Sequence, residues 1–212
     1  MATIEDLAQA VFDGNTSKSK KLSQELIDDG MAPLDVINQG LVAGMTEVGA
    51  QFKAGTMFVP DMMAAAEAMT AGTDVVKPLL AGDDMQSLGT VFICTVKGDL
   101  HDIGKNLVVM MLESAGFDVI NAGVDISPED IVAGVKEHHP DIIGMSALLT
   151  TTMLHMKDTI ELLKEEGLRD QVKVIIGGAP VSQDFADEIS ADGYSPDAVS
   201  AADLAKSLVG AA

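Results

Sequence analysis

From residue 90 onward, short β-rich runs alternate with amphipathic helical ones, and this alternation constrains the fold more than any other feature. VFICTV is followed by DIGKNLVVMMLESAG, VINAG by PEDIVAGVKEHH, IIGMS by TTMLHMKDTIELLKEEG, and VKVIIGG by SQDFADEIS. Regular strand and helix alternation points to a parallel sheet with helices on both faces. A last extended piece near GYSPDAV, ahead of the helix SAADLAKSLVG, brings the number of strands to five. For five strands the common order is 2-1-3-4-5, and ligands bind at its topological switch point, between the carboxyl ends of strands 1 and 3.

The preceding segment has a different texture. Residues 1–82 read as four helices joined by short turns, a small bundle. Thr3 with Asp6 forms a capping box ahead of LAQAVF, Gly14 stops that helix, and Pro33 and Pro60 open later ones. The Gly, Ala and Met content of the third and fourth helices suits close, adaptable core packing. Polar residues 83–89 then read as a linker to a second domain over 90–212, and a chain of 212 residues can bury a core in each.

Charge and cysteine usage narrow the function. Thirteen basic against thirty-three acidic residues, a formal charge of −20, would repel nucleic acid and anionic membrane surfaces alike. The start, MATIEDLAQAVF, has no basic segment ahead of an apolar core, and no run of 18 apolar residues occurs, so a cytoplasmic protein is expected. Cys94 is the single cysteine, which leaves no internal disulfide and no thiolate metal cluster; inside VFICTV it reads as a buried structural thiol.

Chemistry concentrates at three strand ends. The first, GDLHDIGKN (98–106), has the outline of a phosphate loop, but five residues separate Gly98 from Gly104 where four are needed. Asn106 also replaces the magnesium-binding hydroxyl, and Asp99 and Asp102 put carboxylates where a phosphate would sit. What remains is Asp-x-His, which serves either as a hydrogen-bonded structural pair or as a metal-ligating histidine oriented by a carboxylate. Gly104 is expected to turn the chain into the next helix. The third strand ends in GMSALLTTTM, where Ser146, Thr150, Thr151 and Thr152 offer hydroxyls, with Thr150 or Thr151 expected to cap the following helix. Gly177-Gly178 ends the fourth strand, which suits a turn or the close approach of a ligand to backbone. A response-regulator module would need an aspartate ending strand 3 and a lysine ending strand 5; Ser146 and the PDAV region stand there instead. His138 and His139 read as exposed at a helix end, His155 as near the surface, and Lys164, Glu165 and Glu166 as solvated helix face. No Ser/His/Asp nucleophile set is apparent, so the chain is expected to be non-catalytic alone.

Together the strand ends are far more specific. Asp99-x-His101-x-x-Gly104, then 41 residues, Ser146-x-Leu148, then 28 residues, and Gly177-Gly178 resembles the signature of cobalamin-binding domains that carry the cofactor with its nucleotide tail displaced. The helices ahead, with VGAQF followed by MFVP, resemble the cap of the methyl-transferring members. The whole is similar to the corrinoid proteins of methylamine, methanol and betaine methyltransferase systems and to the cobalamin-binding region of methionine synthase. The resemblance implies an α/β fold: an N-terminal four-helix bundle cap and a C-terminal five-stranded parallel Rossmann/flavodoxin-like cobalamin-binding domain.

It also implies roles. His101 would be the lower axial ligand of cobalt in a base-off/His-on cobalamin or related corrinoid, Asp99 would hydrogen-bond its far nitrogen, and Thr152 would extend that relay. Gly98, Leu100, Asp102, Ile103, Gly104 and Leu148 would line the cofactor. Ser146 and Thr150 would contact the displaced tail or corrin edge, Gly177 and Gly178 would leave room for the tail, and Ala198, with Tyr194 and Asp197 nearby, would mark its far end. Phe52 and Val59 would cover the upper face; Val59 is smaller than the leucine common there, so methyl shielding would be less complete. The implied function is a methyl carrier. Its cobalt(I) form would accept a methyl group from a methylated amine, betaine or alcohol through a substrate:corrinoid methyltransferase. Methylcobalt(III) would then donate it to a thiol or tetrahydrofolate through a second methyltransferase, with a reductive activase as a further partner. The alternative is a cobalamin-responsive regulatory or sensor module, for which neither a basic helix nor spare length is expected here.

Overall fold

The computed structural model describes residues 2–80 and 87–211, in a chain that divides into two compact units, Met1–Gln86 and Ser87–Ala212. Of the segment read as a linker, residues 83–86 lie outside the described residues, as do residues 1, 81 and 82 of the segment read as helical and residue 212. Residues 87–89 are tied to the second unit: the Asp118 N–H donates to the Ser87 hydroxyl at 3.1 Å and the Leu88 N–H to the Gly116 carbonyl at 3.0 Å.

In the first unit, α1 (Ile4–Phe12) begins at Thr3, whose hydroxyl accepts from the Asp6 N–H at 3.1 Å. α2 (Thr16–Asp28) is capped by Asn15, which accepts from the Lys18 N–H at 3.0 Å. Each cap satisfies a helix-end donor that the helix itself cannot. α3 (Pro33–Asp35), a π-helical stretch (Val36–Val42) and α4 (Ala43–Lys53) then follow one another with helical dihedrals at each junction. The sequence pattern predicts a plain helix here. The wider turn falls where this rod meets α1 through Gly40, at which a Cβ would stand 2.7 Å from Leu7 Cδ2. α5 (Val59–Val76) completes four helical rods among the described residues, with the Phe58 N–H donating to the Asp61 carboxylate at 2.9 Å. Met45, Met62 and Met69 are buried with Leu7, Val11, Leu41 and Val48, so these methionines are core.

The second unit runs β1 (Thr90–Val96), α6 (Ile103–Ser114), β2 (Asp118–Ile126), α7 (Pro128–His138), β3 (Ile142–Ser146), α8 (Leu154–Glu165), β4 (Lys173–Gly177), α9 (Gln183–Ile189), β5 (Gly193–Ser195) and α10 (Ala198–Leu208). The strands form one parallel sheet of order β2-β1-β3-β4-β5, as the alternation predicts. Alternate residues of the inner strands, among them Phe92, Cys94, Ile143, Met145, Val174 and Ile176, pack against Ile131 and Val135 of α7 and Met156, Ile160 and Leu163 of α8. Burial on both sides explains why these strands read as continuous apolar runs. The register sets Thr95 beside Ser146, Ser146 beside Gly177 and Gly177 beside Ser195, a row of small residues across the carboxyl end of the sheet.

Candidate functional site

The loop after β1 is built around one carboxylate. Gly98 turns the chain with φ +78°, in the left-handed region where a side chain is disfavoured. Its N–H donates to Asp125 Oδ1 at 2.7 Å, and the Asp125 N–H donates to the Asp99 carbonyl at 3.1 Å. Asp99 is fully buried. Five donors converge on it: His101 Nδ1 at 2.7 Å and the His101 N–H at 3.1 Å on Oδ1, and the Leu148 N–H at 2.7 Å, the Leu149 N–H at 3.3 Å and the Thr152 hydroxyl at 2.7 Å on Oδ2. Burial by itself pushes the Asp99 carboxyl up. The hydrogen bonds from Leu148, Thr152 and His101 outweigh it and hold the group well below the usual carboxylate range.

The consequence falls on His101. An ionised Asp99 keeps the proton on Nδ1, which leaves the Nε2 lone pair as the ring's remaining ligating atom. The backbone of the ring-bearing residue is pinned as well, its carbonyl accepting from the buried Thr95 hydroxyl at 3.0 Å. The His101 side chain keeps 54% of its surface accessible. A buried carboxylate holding an exposed imidazole in one tautomer is the arrangement that orients histidine ligands. Among the described residues no group of three or more His, Cys, Asp or Glu side chains is placed to hold a metal ion, so His101 could serve only as a single protein ligand.

The remaining sequence-predicted residues separate into those gathered at this end of the sheet and those that are not. Leu100, Ile103 and Leu148 are exposed there, together with Leu149 and Leu154, and give the ring apolar surroundings. Asp102 precedes α6 and accepts from the Asn106 side-chain amide at 3.0 Å. The turning role expected of Gly104 is not seen. The helix has already begun at Ile103, Gly98 makes the turn, and a Cβ on Gly104 would meet nothing within 4 Å. Neither Thr150 nor Thr151 caps the following helix: α8 starts at Leu154, behind Met153, which makes no side-chain cap bond. Both threonines are exposed, while the hydroxyl of Thr152 goes to Asp99. Ser146 ends β3, between Thr95 and Gly177.

Gly178 is explained by the protein's own backbone: φ is +123° and a Cβ would lie 1.8 Å from the Ala147 carbonyl oxygen. Tyr194 lies in β5, and Ala198 opens α10 behind Asp197, which accepts from the Ser200 N–H at 2.8 Å. Phe52, in α4, and Val59, opening α5, belong to the helical unit. His138 and His139 are exposed at the end of α7, and His155 pairs with Asp158 at 3.0 Å. Burial pushes the Cys94 thiol up to about 12, so it is inert.

Two residues were not legible as part of this region. Asp125 reaches the loop only because β2 runs beside β1, a pairing no local motif announces. Lys105, buried in the first turn of α6, donates at 2.7 Å to both Asn106 Oδ1 and Asn121 Oδ1, and burial lowers its pKa against the pull of Asp102. In the sequence it passes for the lysine of a failed phosphate loop.

Comparison with known proteins gives the family of the chain. Residues 89–203 match the B12 binding domain family, and residues 3–77 match a second family of the same description. A corrinoid protein of Desulfitobacterium hafniense (strain Y51) is 45% identical over 213 residues, covering 99% of this chain and 99% of its own length. Dimethylamine corrinoid protein 2 of Methanosarcina acetivorans is 45% identical over 213 residues, again at 99% of each chain. Among solved structures, the methanol:cobalamin methyltransferase complex MtaBC from Methanosarcina barkeri superposes with a TM-score of 0.86 at 32% identity, over 99% of this chain and 80% of that one.

Proposed function

This chain belongs to the B12-binding corrinoid proteins of methyltransferase systems, and from that membership we propose that it is a methyl carrier with His101 as the protein ligand of the cofactor's cobalt. The observation that carries the reading is the His101 side chain, accessible over half its surface and locked at Nδ1 by a buried carboxylate. One histidine cannot retain a bare ion. A metal held in a macrocycle brings its other ligands with it and needs only one from the protein. The residues present fit such a group: an apolar rim of Leu100, Ile103 and Leu148 suits a large flat ligand, and the open space over Gly104 is where a ligand could approach backbone.

A bound corrinoid supplies a cobalt centre that accepts and releases a methyl group. The chain's own residues govern the histidine. With His101 as a ligand, Asp99, which accepts from Nδ1–H, would raise the donor strength of Nε2. With the ring off such a metal, Nε2 would be free to take a proton, and the anionic Asp99 would stabilise the resulting imidazolium. Thr152 and the Leu148 N–H keep the carboxylate ionised and in place throughout. The row of Ser146 and Gly177, with Tyr194 and Ala198 beyond, is assigned to the cofactor's nucleotide tail in its base-off/His-on form, and Phe52 and Val59 to shielding of the methyl group.

The finer assignment is a cycle between two enzymes. A substrate:corrinoid methyltransferase delivers the methyl group from a methylated amine, betaine or alcohol. A second methyltransferase passes it to a thiol or tetrahydrofolate, and a reductive activase restores cofactor that has been oxidised. The test is to load the purified protein with cobalamin, reduce it, and supply each methyl donor with its partner methyltransferase while following the cofactor's visible spectrum. Methylation of the bound cofactor by at least one pairing is expected; failure with all of them would falsify the carrier reading.

A further inference from the structure

We propose that Asp125 is a positioning residue for His101, clamping the Gly98–Asp99 segment through its carboxylate and its own N–H so that Asp99 meets the imidazole. The metal-binding part of this inference rests on the function proposed above; the clamp itself does not.

Among the described residues three non-glycine residues have positive φ: Asp125 at 57°, His139 at 46° and Ser190 at 62°. His139 and Ser190 end helices α7 and α9, where a left-handed residue is an ordinary stop. Asp125 ends no helix. It lies inside β2, one residue from its end, so its left-handed backbone must be held by what surrounds it. Strand pairing supplies part of the reason. Cys94 pairs with Gly123 and Val96 with Ile126, so β2 carries one residue more than β1 over this interval. Such a bulge bends the strand and re-aims a side chain, a device found beside active sites.

The re-aimed residue is Asp125, and its two bonds bracket two consecutive loop residues. Its Oδ1 accepts from the Gly98 N–H at 2.7 Å, and its N–H donates to the Asp99 carbonyl at 3.1 Å. Gly98 needs such a hold, because it is itself in the left-handed region at φ +78° and exposed. With both ends of the segment fixed, the Asp99 side chain enters the core toward Leu148 and Thr152, with Oδ1 left for His101. Asp125 touches neither the ring nor, in this reading, the cofactor; it acts through Asp99.

Two substitutions separate the carboxylate from the backbone conformation. Asp125→Asn keeps an acceptor oxygen and tolerates positive φ, whereas Asp125→Gly keeps the conformation and the backbone N–H but loses the side-chain acceptor for the Gly98 N–H. The first readout is the ring ¹H–¹⁵N spectrum of His101 in the cofactor-free protein. Wild type and Asp125→Asn should show the Nδ1–H tautomer alone, and Asp125→Gly a mixture with Nε2–H, the form a free imidazole prefers. The second is the electron paramagnetic resonance of cob(II)alamin-loaded protein, in which an axial nitrogen ligand splits the signal. The histidine-ligated fraction relative to the unligated one should fall about tenfold in Asp125→Gly and stay near wild type in Asp125→Asn. An Asp125→Gly protein matching wild type in both spectra overturns the proposal, as does an Asn variant as impaired as the Gly one. A loaded wild type without nitrogen splitting would refute His101 as the cobalt ligand, and the cofactor-free spectra would then decide the role of Asp125 alone.

Discussion

Asp99 is the residue on which the site turns, and its energetics give a pH dependence with a definite sign. An aspartate in an unfolded chain titrates near ~3.9. In the fold, donors from Leu148, Thr152 and His101 hold Asp99 well below that, against the opposing effect of burial. Its contribution to stability is therefore complete above the ordinary carboxylate range and is lost as pH falls through that range toward the folded value. Asp99→Asn removes it, so denaturant midpoints of wild type and variant should differ clearly at about pH 6 and converge toward about pH 2, below the ordinary aspartate range. His101→Ala should abolish the spectrum of histidine-ligated cob(III)alamin; an unchanged spectrum would end the axial assignment. Gly104 makes a complementary prediction. Alanine there fits a helical position with open space, so the cofactor-free protein should be as stable or slightly more so, while cobalamin retention falls. At this scale Asp-x-His was legible because its spacing carries the chemistry. Asp125 was not, because its role depends on a neighbouring strand and a bulge.

At the scale of elements, the strand and helix alternation predicted both the parallel sheet and its order. Each inner strand is buried on two faces, which writes an unbroken apolar run into the sequence. The loops were harder to read. Thr150 and Thr151 looked like caps because hydroxyls ahead of a helical pattern usually are, yet α8 begins at Leu154 and the useful hydroxyl, Thr152, bonds to a carboxylate 53 positions away. The paired glycines after β4 were ambiguous between a turn and room for a ligand. The structure gives Gly178 to the protein, since its neighbour is the Ala147 carbonyl of the loop that also supplies the Leu148 N–H to Asp99. Gly178→Ala should thus destabilise the protein by about 2–4 kcal/mol in denaturant unfolding, from strained backbone together with overlap. A loss under about 0.5 kcal/mol, typical of an uninvolved surface site, would contradict that geometry.

For the whole molecule, thirty-three acidic residues against thirteen basic ones leave a charge of −20. Such a chain repels itself when folded, and salt screens the repulsion. Raising sodium chloride from about 10 mM to about 150 mM, where the Debye length falls to about 8 Å, should raise the thermal midpoint at neutral pH; a fall would mean that specific ion pairs such as Arg169–Asp192 outweigh the net charge. The sequence by itself determined what depends on local periodicity and short spacing: four helical rods, five alternating strands and their order, and the Asp99–His101 pair at a strand end. Only the tertiary structure decided what depends on chain segments meeting across the fold. Those are the Leu148 and Leu149 N–H donors that, with the Thr152 hydroxyl expected from the family resemblance, hold Asp99 ionised, the Asp125 clamp on the loop, and the Ala147 carbonyl that reserves Gly178. The physical reason is that a hydrogen bond between residues far apart in the chain exists only once sheet register has brought them within about 3 Å, and no local pattern encodes that approach.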